Sequence, residues 1–292
     1  MNMSEQLTEE MAEQMTGLAC FKAYDIRGEI GVTIDEGIAY RIGRAVAQHF
    51  GAKSIVIGCD ARATSPAFAA AASRGARDAG ADVIDIGMAG TEEMYWAVTE
   101  FGACAGIEVT ASHNPIHYNG MKIVKSQSRP LEDVAEFQAI KALASSQAWS
   151  GGAGVGRQLE RAEAARRAYV DQVLRFVDLP ALRALKIVVN AGNGAAGPSF
   201  DAIAARLQDS GAPLEFVRVH HSPDATFPNG IPNPLLPENH AATADVVVSE
   251  GADFGVAFDG DFDRCFFFDG RGQFVPGEYV IGLLASLFLE KE

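Results

Sequence analysis

Ser54-Ile55-Val56-Ile57-Gly58 is a short β-branched run, and Asp60-Ala61-Arg62-Ala63-Thr64-Ser65-Pro66 follows it almost at once. The run reads as a strand. Ser65 with Pro66 behind it predicts the start of a helix reaching about Ala79, since a Ser side chain accepts an orphan amide and Pro suits the first turn. Residues 83–87 repeat the strand pattern, 91–101 the helix and 106–110 a third strand. Alternation of this kind predicts a mainly parallel sheet with helices on both faces.

Residues 145–156 are rich in Ser, Gly and Ala and make the best linker candidate, after which the alternation starts afresh. Strands are expected at 185–189, 214–219 and 254–258, with helices at 199–207 and 238–249. The expected fold class is therefore α/β, built of consecutive domains with mainly parallel mixed sheets covered by helices on both faces. The expected boundaries are 1–156, 157–272 and the start of a further domain at 273–292. No internal repeat is strong enough to establish duplication.

Composition sets the outer limits. The 292 residues, 48% of them hydrophobic, suit two buried cores. A net charge of −14, from 38 acidic against 24 basic residues, argues against a nucleic-acid partner, because phosphate backbones are bound by excess Lys and Arg. A phosphorylated small molecule needs only a local cluster of cations. Cys20, Cys59, Cys104 and Cys265 lack the spacing of a zinc site and the density of a disulfide scaffold, so reduced thiols in a cytoplasmic protein are expected. The acidic first residues lack the basic start and apolar core of a signal peptide. No membrane span is expected either, since the longest apolar run, 279–289, falls short of the ~20 residues a bilayer requires.

Two loops carry most of the chemistry. Asp259-Gly260-Asp261-Phe262-Asp263-Arg264 places alternate carboxylates at the end of an apolar strand, where they can converge on a hard cation. An EF-hand would need Gly and Glu where Arg264 and Gly270 stand. A solvated acidic turn is the bland alternative. Thr110-Ala111-Ser112-His113-Asn114-Pro115 also follows a strand, and Gly120-Met121-Lys122-Ile123 comes soon after. Ser112 is placed like a nucleophile, with His113 and Lys122 as proton carriers or phosphate contacts, although Ser, Asn and Pro are also plain turn residues. No Gly-x-Ser-x-Gly elbow surrounds Ser112, so an acyl-transfer hydrolase is not supported. Tyr24-Asp25-Ile26-Arg27-Gly28 adds an Arg whose fork can take a phosphate, and Asp60 and Arg62 end the first strand. Either Arg can equally serve an internal salt bridge.

These pieces together resemble the phosphohexose mutase superfamily, most closely its phosphomannomutase/phosphoglucomutase branch. The resemblance rests on 24–28, 110–115, 120–123 and 259–264, in that order, and covers nearly the whole chain. It implies four domains around a cleft, three of them related α/β units, and an intramolecular phosphotransferase that interconverts hexose 1-phosphate and 6-phosphate through a hexose bisphosphate. It implies that Ser112 is carried as phosphoserine, and that Asp259, Asp261 and Asp263 hold Mg²⁺ with a phosphoserine oxygen. Arg27, His113, Lys122 and Arg264 would neutralise phosphate charge, and Lys122 would accept the sugar hydroxyl's proton. Charge neutralisation and positioning are what phosphoryl transfer needs most.

The family's sugar-selecting and phosphate-clamping loops find no counterpart here, so the chain reads as an N-terminal portion whose own turnover is in question. Ile281, Leu284, Leu287 and Phe288 are expected to face water unless something covers them. Phosphoglucosamine mutase and a non-catalytic interaction protein stay open as alternatives, and the oligomeric state is open too. Gly192-Asn193-Gly194-Ala195-Ala196-Gly197 fits a dinucleotide fingerprint and leaves an NAD-dependent oxidoreductase as a lesser rival. Glu215, however, begins the next strand, where the fingerprint expects an acid at its end. His220 and His221 are adjacent in a strand and point to opposite faces, which disfavours a shared metal.

Overall fold

The computed structural model describes residues 18–131, 134–150 and 154–289. Two compact units meet at Val173 and Leu174. In chain order the first contains β1 (Ile26–Glu29), α1 (Glu36–His49), β2 (Ser54–Cys59), α2 (Ser65–Asp78), β3 (Asp82–Met88) and α3 (Thr91–Glu100). It continues with β4 (Ala105–Val109), β5 (Tyr118–Lys125), β6 (Arg129–Pro130), α4 (Val134–Ser146), β7 (Gln158–Glu160) and α5 (Ala162–Leu174), which ends at the junction. The sheet order is β1-β5-β4-β2-β3-β7, with β6 beside β5. Strands β4, β2, β3 and β7 are parallel, whereas β1, β5 and β6 run antiparallel to their neighbours. The reversal at β5 follows from chain length, because residues 110–117 are too few for the crossover that a parallel partner needs.

Helices cover both faces. Ile42 and Val46 of α1, Phe68 and Ala72 of α2, and Phe137 and Ile140 of α4 pack with Ile55, Ile57 and Ile107 on one side. Met94, Ala97 and Val98 of α3 and Ala165 of α5 pack with Val56, Ile84 and Ile86 on the other. Neighbouring strand residues thus feed opposite cores, as a doubly covered sheet demands.

Two expectations shift. Thr64, not Ser65, is the N-cap of α2 and makes no side-chain cap bond, and the Ser65 hydroxyl donates to Asp60 Oδ1 at 2.5 Å. Residues 157–173, expected in the second domain, group with the first unit, because β7 pairs in parallel with β3 and the Arg157 guanidinium grips Asp82.

The second unit holds β8 (Leu185–Asn190), α6 (Ala196–Asp209), β9 (Leu214–Val219), α7 (Ala241–Glu250), β10 (Phe254–Phe258), β11 (Cys265–Asp269), β12 (Phe274–Val275) and α8 (Gly277–Leu289). Its sheet order is β12-β11-β10-β8-β9, with β9, β8 and β10 parallel. The chain leaves β8 in one direction for β9 and returns on the other side as β10. A crevice therefore opens at the carboxyl ends of β8 and β10, where such sheets bind ligands. Val188, Val247, Ala257 and Phe268 form the core. Of Phe266, Phe267 and Phe268 only Phe268 is fully buried, since β11 has only the two-residue β12 on its outer side. Helix α8 has no buried residue, and Ile281, Leu284, Leu287 and Phe288 are exposed as expected. Among the described residues no helix is long and apolar enough to cross a membrane.

Candidate functional site

Ser112 sits just past the carboxyl end of β4 with φ at +49°, a left-handed conformation that non-Gly residues adopt at a cost. Local bonds hold it there. Its amide donates to Thr110 Oγ1 at 2.8 Å, and its hydroxyl lies 3.1 Å from His113 Nδ1. The Asn114 side chain donates to the Ala111 carbonyl at 3.1 Å and tightens the same turn.

Arg62 pins the loop from β2. Its guanidinium donates to the carbonyls of Ser112 at 3.0 Å, Asn114 at 2.5 Å, Pro115 at 3.0 Å and Tyr118 at 3.1 Å. Asp60 balances it, with 3.5 Å between Arg62 Nε and Asp60 Oδ2 and both side chains buried. Burial pushes the Asp60 carboxyl above its usual range, against the downward pull of Arg62 and of the Ser65 and Thr110 hydroxyls. Of the two arginines weighed as internal pairs, Arg62 is one.

Arg27 comes from the other edge. In β1 it stands opposite Gly120 of β5, and its fork spans the Thr110 carbonyl at 2.6 Å and the Asp25 carboxylate at 2.8 Å. Lys122 stands two residues further along β5, on the same sheet face as Gly120, and its Nζ donates to Thr91 Oγ1 at 3.2 Å. The first unit thus brings Ser112, His113 and Arg27 around one loop, with Lys122 on the adjoining strand. Tyr24 is exposed.

In the second unit the acidic loop leaves β10. Asp259 and Asp261 are fully buried and Asp263 is exposed, and each offers a carboxylate oxygen within 4.8 Å of the others. Phe262, at φ +47°, turns the chain so that Asp261 and Asp263 flank it, and its amide donates to the Asp259 carbonyl at 3.2 Å. Buried carboxylates so close together are tolerated only with positive charge nearby. Arg264 gives part of it, with its amide 3.3 Å from Asp259 Oδ1 and its Nε 4.0 Å from Asp259 Oδ2. Hard oxygen donors in this arrangement suit Mg²⁺ or a similar cation.

The glycine loop supports this turn. A Cβ on Gly194 would meet the Gly260 carbonyl oxygen at 2.6 Å, and the Ala195 amide donates to that oxygen at 3.0 Å. Gly192 faces Pro232 and Gly197 the His221 carbonyl, so protein fills the places a dinucleotide would approach. A cavity of about 140 Å³ lies beside the loop at the ends of β8 and β10, lined in part by Asn190, His220, Asn233 and Phe258. β9 ends at Val219 and His220 has φ +43°, so the two histidines lie past the strand rather than in it as expected, and His221 Nε2 is paired with Asp201 Oδ2 at 2.8 Å.

Sequence reading passed over Glu108 and Thr91. The signal was present for the first: a Glu inside the otherwise apolar strand Ala105–Val109.

Comparison with known proteins agrees with this picture. The phosphoglucomutase/phosphomannomutase alpha/beta/alpha domain I pattern matches residues 19–149, and the domain II pattern matches 167–272. A phosphomannomutase of Salmonella montevideo is 52% identical over 277 residues, and one of Escherichia coli K12 is 50% identical over 277. Both alignments take in 95% of this chain and 61% of the relative's length. Among solved structures, a phosphoglucomutase/phosphomannomutase family protein of Burkholderia thailandensis superposes with a TM-score of 0.82 at 32% identity, over 94% of this chain and 59% of that one. The structure of a putative phosphomannomutase from Thermus thermophilus gives 0.80 at 27%, over 93% and 61%.

Proposed function

We propose that this chain, which belongs to the phosphoglucomutase/phosphomannomutase family, carries the serine and metal-binding parts of an enzyme that interconverts hexose 1-phosphate and hexose 6-phosphate. Ser112 is the group carrier. Its phosphoryl group passes to a free sugar hydroxyl, so the Ser Oγ–P bond breaks as the sugar O–P bond forms. Lys122 takes the hydroxyl proton. The bisphosphate then returns its other phosphoryl group to the Ser112 oxygen, the sugar O–P bond breaking as the Ser Oγ–P bond re-forms and the Lys122 ammonium giving its proton back to the leaving sugar oxygen. Arg27 and His113 counter the charge at Ser112, and Arg264 does so beside the acidic loop.

Asp259, Asp261 and Asp263 would hold Mg²⁺, which when bound supplies charge neutralisation for a phosphoryl group. Mannose phosphate is the favoured substrate, a choice supported by the names of the relatives at 50–52% identity. A reducing, cytoplasmic setting fits four cysteines that form no disulfide.

One observation carries the reading: Ser112 is held in a left-handed turn at the carboxyl end of β4, with its carbonyl fixed by Arg62 and its hydroxyl beside His113. Intact-mass spectrometry after incubation with mannose or glucose 1,6-bisphosphate and Mg²⁺ tests it. A gain of one phosphoryl group, mapped to Ser112, is expected. Phosphate on another residue, or none, overturns the assignment. A coupled assay with the 1-phosphates of mannose, glucose and glucosamine tests the sugar, and preference for glucosamine would move the protein to another branch.

A further inference from the structure

We infer that Glu108 is a positioning residue that fixes the Lys122 ammonium for the transfer proposed above, a reading on which this inference rests. Three strands bring the parts into a row. Gly58 of β2 is the partner of Glu108 in β4, and Glu108 is the partner of Lys122 in β5. Residues directly opposite on neighbouring strands share a face, with Cβ atoms ~5 Å apart. That face is the one under α3, because a Cβ on Gly106, two residues before Glu108, would touch Met94 and Val98 of that helix. The bond from Lys122 Nζ to Thr91, the first residue of α3, places the ammonium there as well.

Glu108 is fully buried. Its Oε2 occupies the space a side chain at Gly58 would need, since a Cβ there would lie 2.4 Å away. A carboxylate in such a place requires a cation. Other charged groups near the start of α3 have partners of their own. Glu93 takes the Arg166 Nε at 3.1 Å and the Gly90 amide at 3.2 Å. Asp60 is tied to Arg62 and Ser65, and Asp85 of β3 accepts from the Gly87 amide and Gln158. Lys122 is therefore the cation that strand register aligns with Glu108. Burial first, and the Glu108 carboxylate second, push the neighbouring Cys59 thiol up, which places the two side chains close together. A lysine stem is flexible, so an ammonium anchored between Glu108 and the Thr91 hydroxyl has less freedom to lose in the return transfer, where it must meet the leaving sugar oxygen and give it the proton taken in the outward step.

Glu108→Gln keeps the shape and removes the charge. In the chain labelled at lysine Cε, NMR titration should show the Lys122 midpoint falling by at least about one pH unit in Glu108→Gln, while Glu108→Asp keeps most of the parent value. An unchanged midpoint in Glu108→Gln overturns the inference. Phosphorylation of Ser112 by hexose bisphosphate should slow at least tenfold in Glu108→Gln, and show no further loss when that change is added to Lys122→Met. Equal losses in both backgrounds overturn it. If Glu108→Gln alone does not fold, melting decides: the double variant Glu108→Gln/Lys122→Met should melt above Lys122→Met, which leaves the carboxylate alone, and equal or lower melting overturns the pairing. Titration and melting need no catalysis, so they judge Glu108 even if Ser112 accepts no phosphoryl group and the proposed function fails.

Discussion

The guanidinium of Arg62 donates to the carbonyl of Ser112 at 3.0 Å, and through its other bonds it ties the whole turn that follows β4 to the end of β2. The backbone of Ser112 is therefore set by a buried ion pair rather than by the loop's own sequence alone. Arg62→Met should cost about 3–5 kcal/mol, because it strands the buried Asp60 and frees four carbonyls. Urea unfolding measures the loss, and limited proteolysis should cut within 111–118 in the variant and not in the parent. Adding Asp60→Asn should recover part of the stability. A double variant as unstable as the single would show that the pair is not what the loop depends on.

Cys20 backs Arg27, since its carbonyl accepts the Arg27 amide at 2.6 Å and the thiol is wholly buried. Burial pushes that thiol from its ordinary value of 9.0 up to about 11, against the smaller pull of nearby Lys22, Lys141 and Arg41. The folded protein keeps a proton that the unfolded chain gives up. The resulting stability is fully present below pH 9 and is lost as pH rises to about 11, on the order of 2–3 kcal/mol in all. Urea midpoints taken between pH 8 and 11 should fall steeply for the parent and less steeply for Cys20→Ala. Parallel slopes would assign the alkaline loss to another group.

Metal binding should depend on both the carboxylates and the turn beneath them. Calorimetry with Mn²⁺ should give binding by the parent chain and none by Asp261→Ala, whose carboxylate is fully buried in the loop. Gly194→Ala should weaken binding without touching a carboxylate, because its Cβ would press on the Gly260 carbonyl at 2.6 Å and displace the loop, at a cost of about 1–3 kcal/mol in stability. Binding of equal strength in parent and Asp261→Ala would remove the site.

How far the sequence could be read follows a physical divide. The parallel strands, such as Ile55 to Ile57 and Phe254 to Phe258, were legible because strands covered on both faces must be almost uniformly apolar. The acidic loop was legible because alternate carboxylates have few other uses. Strand β7 was not, since its exposed Gln158 and Glu160 carry no apolar pattern and it gains its place only by pairing with β3. Ser65 misled for a related reason. Its local reading as a cap lost to Asp60, a buried acceptor five residues earlier that only the tertiary fold brings within 2.5 Å. The partnership of Glu108 with Lys122 needed strand register, and register is set by the loop between the strands rather than by either strand alone.

The left-handed backbone of Ser112 allows its strain to be separated from its chemistry. Both Ser112→Ala and Ser112→Gly remove the hydroxyl that lies 3.1 Å from His113, so they lose the same contact. They differ at φ +49°, where Ala is strained and Gly is not. Left-handed geometry costs an L-residue roughly 1–2 kcal/mol, and the extra freedom of Gly in the unfolded chain takes back ~0.4–1 of that. Ser112→Gly should accordingly be the more stable variant by up to about 1.5 kcal/mol, read as a higher urea midpoint at an unchanged slope. Neither variant should take a phosphoryl group from hexose bisphosphate. If Ser112→Ala is clearly the more stable of the two, the turn is not left-handed in solution. If either variant is phosphorylated at the parent's rate, the nucleophile is another residue.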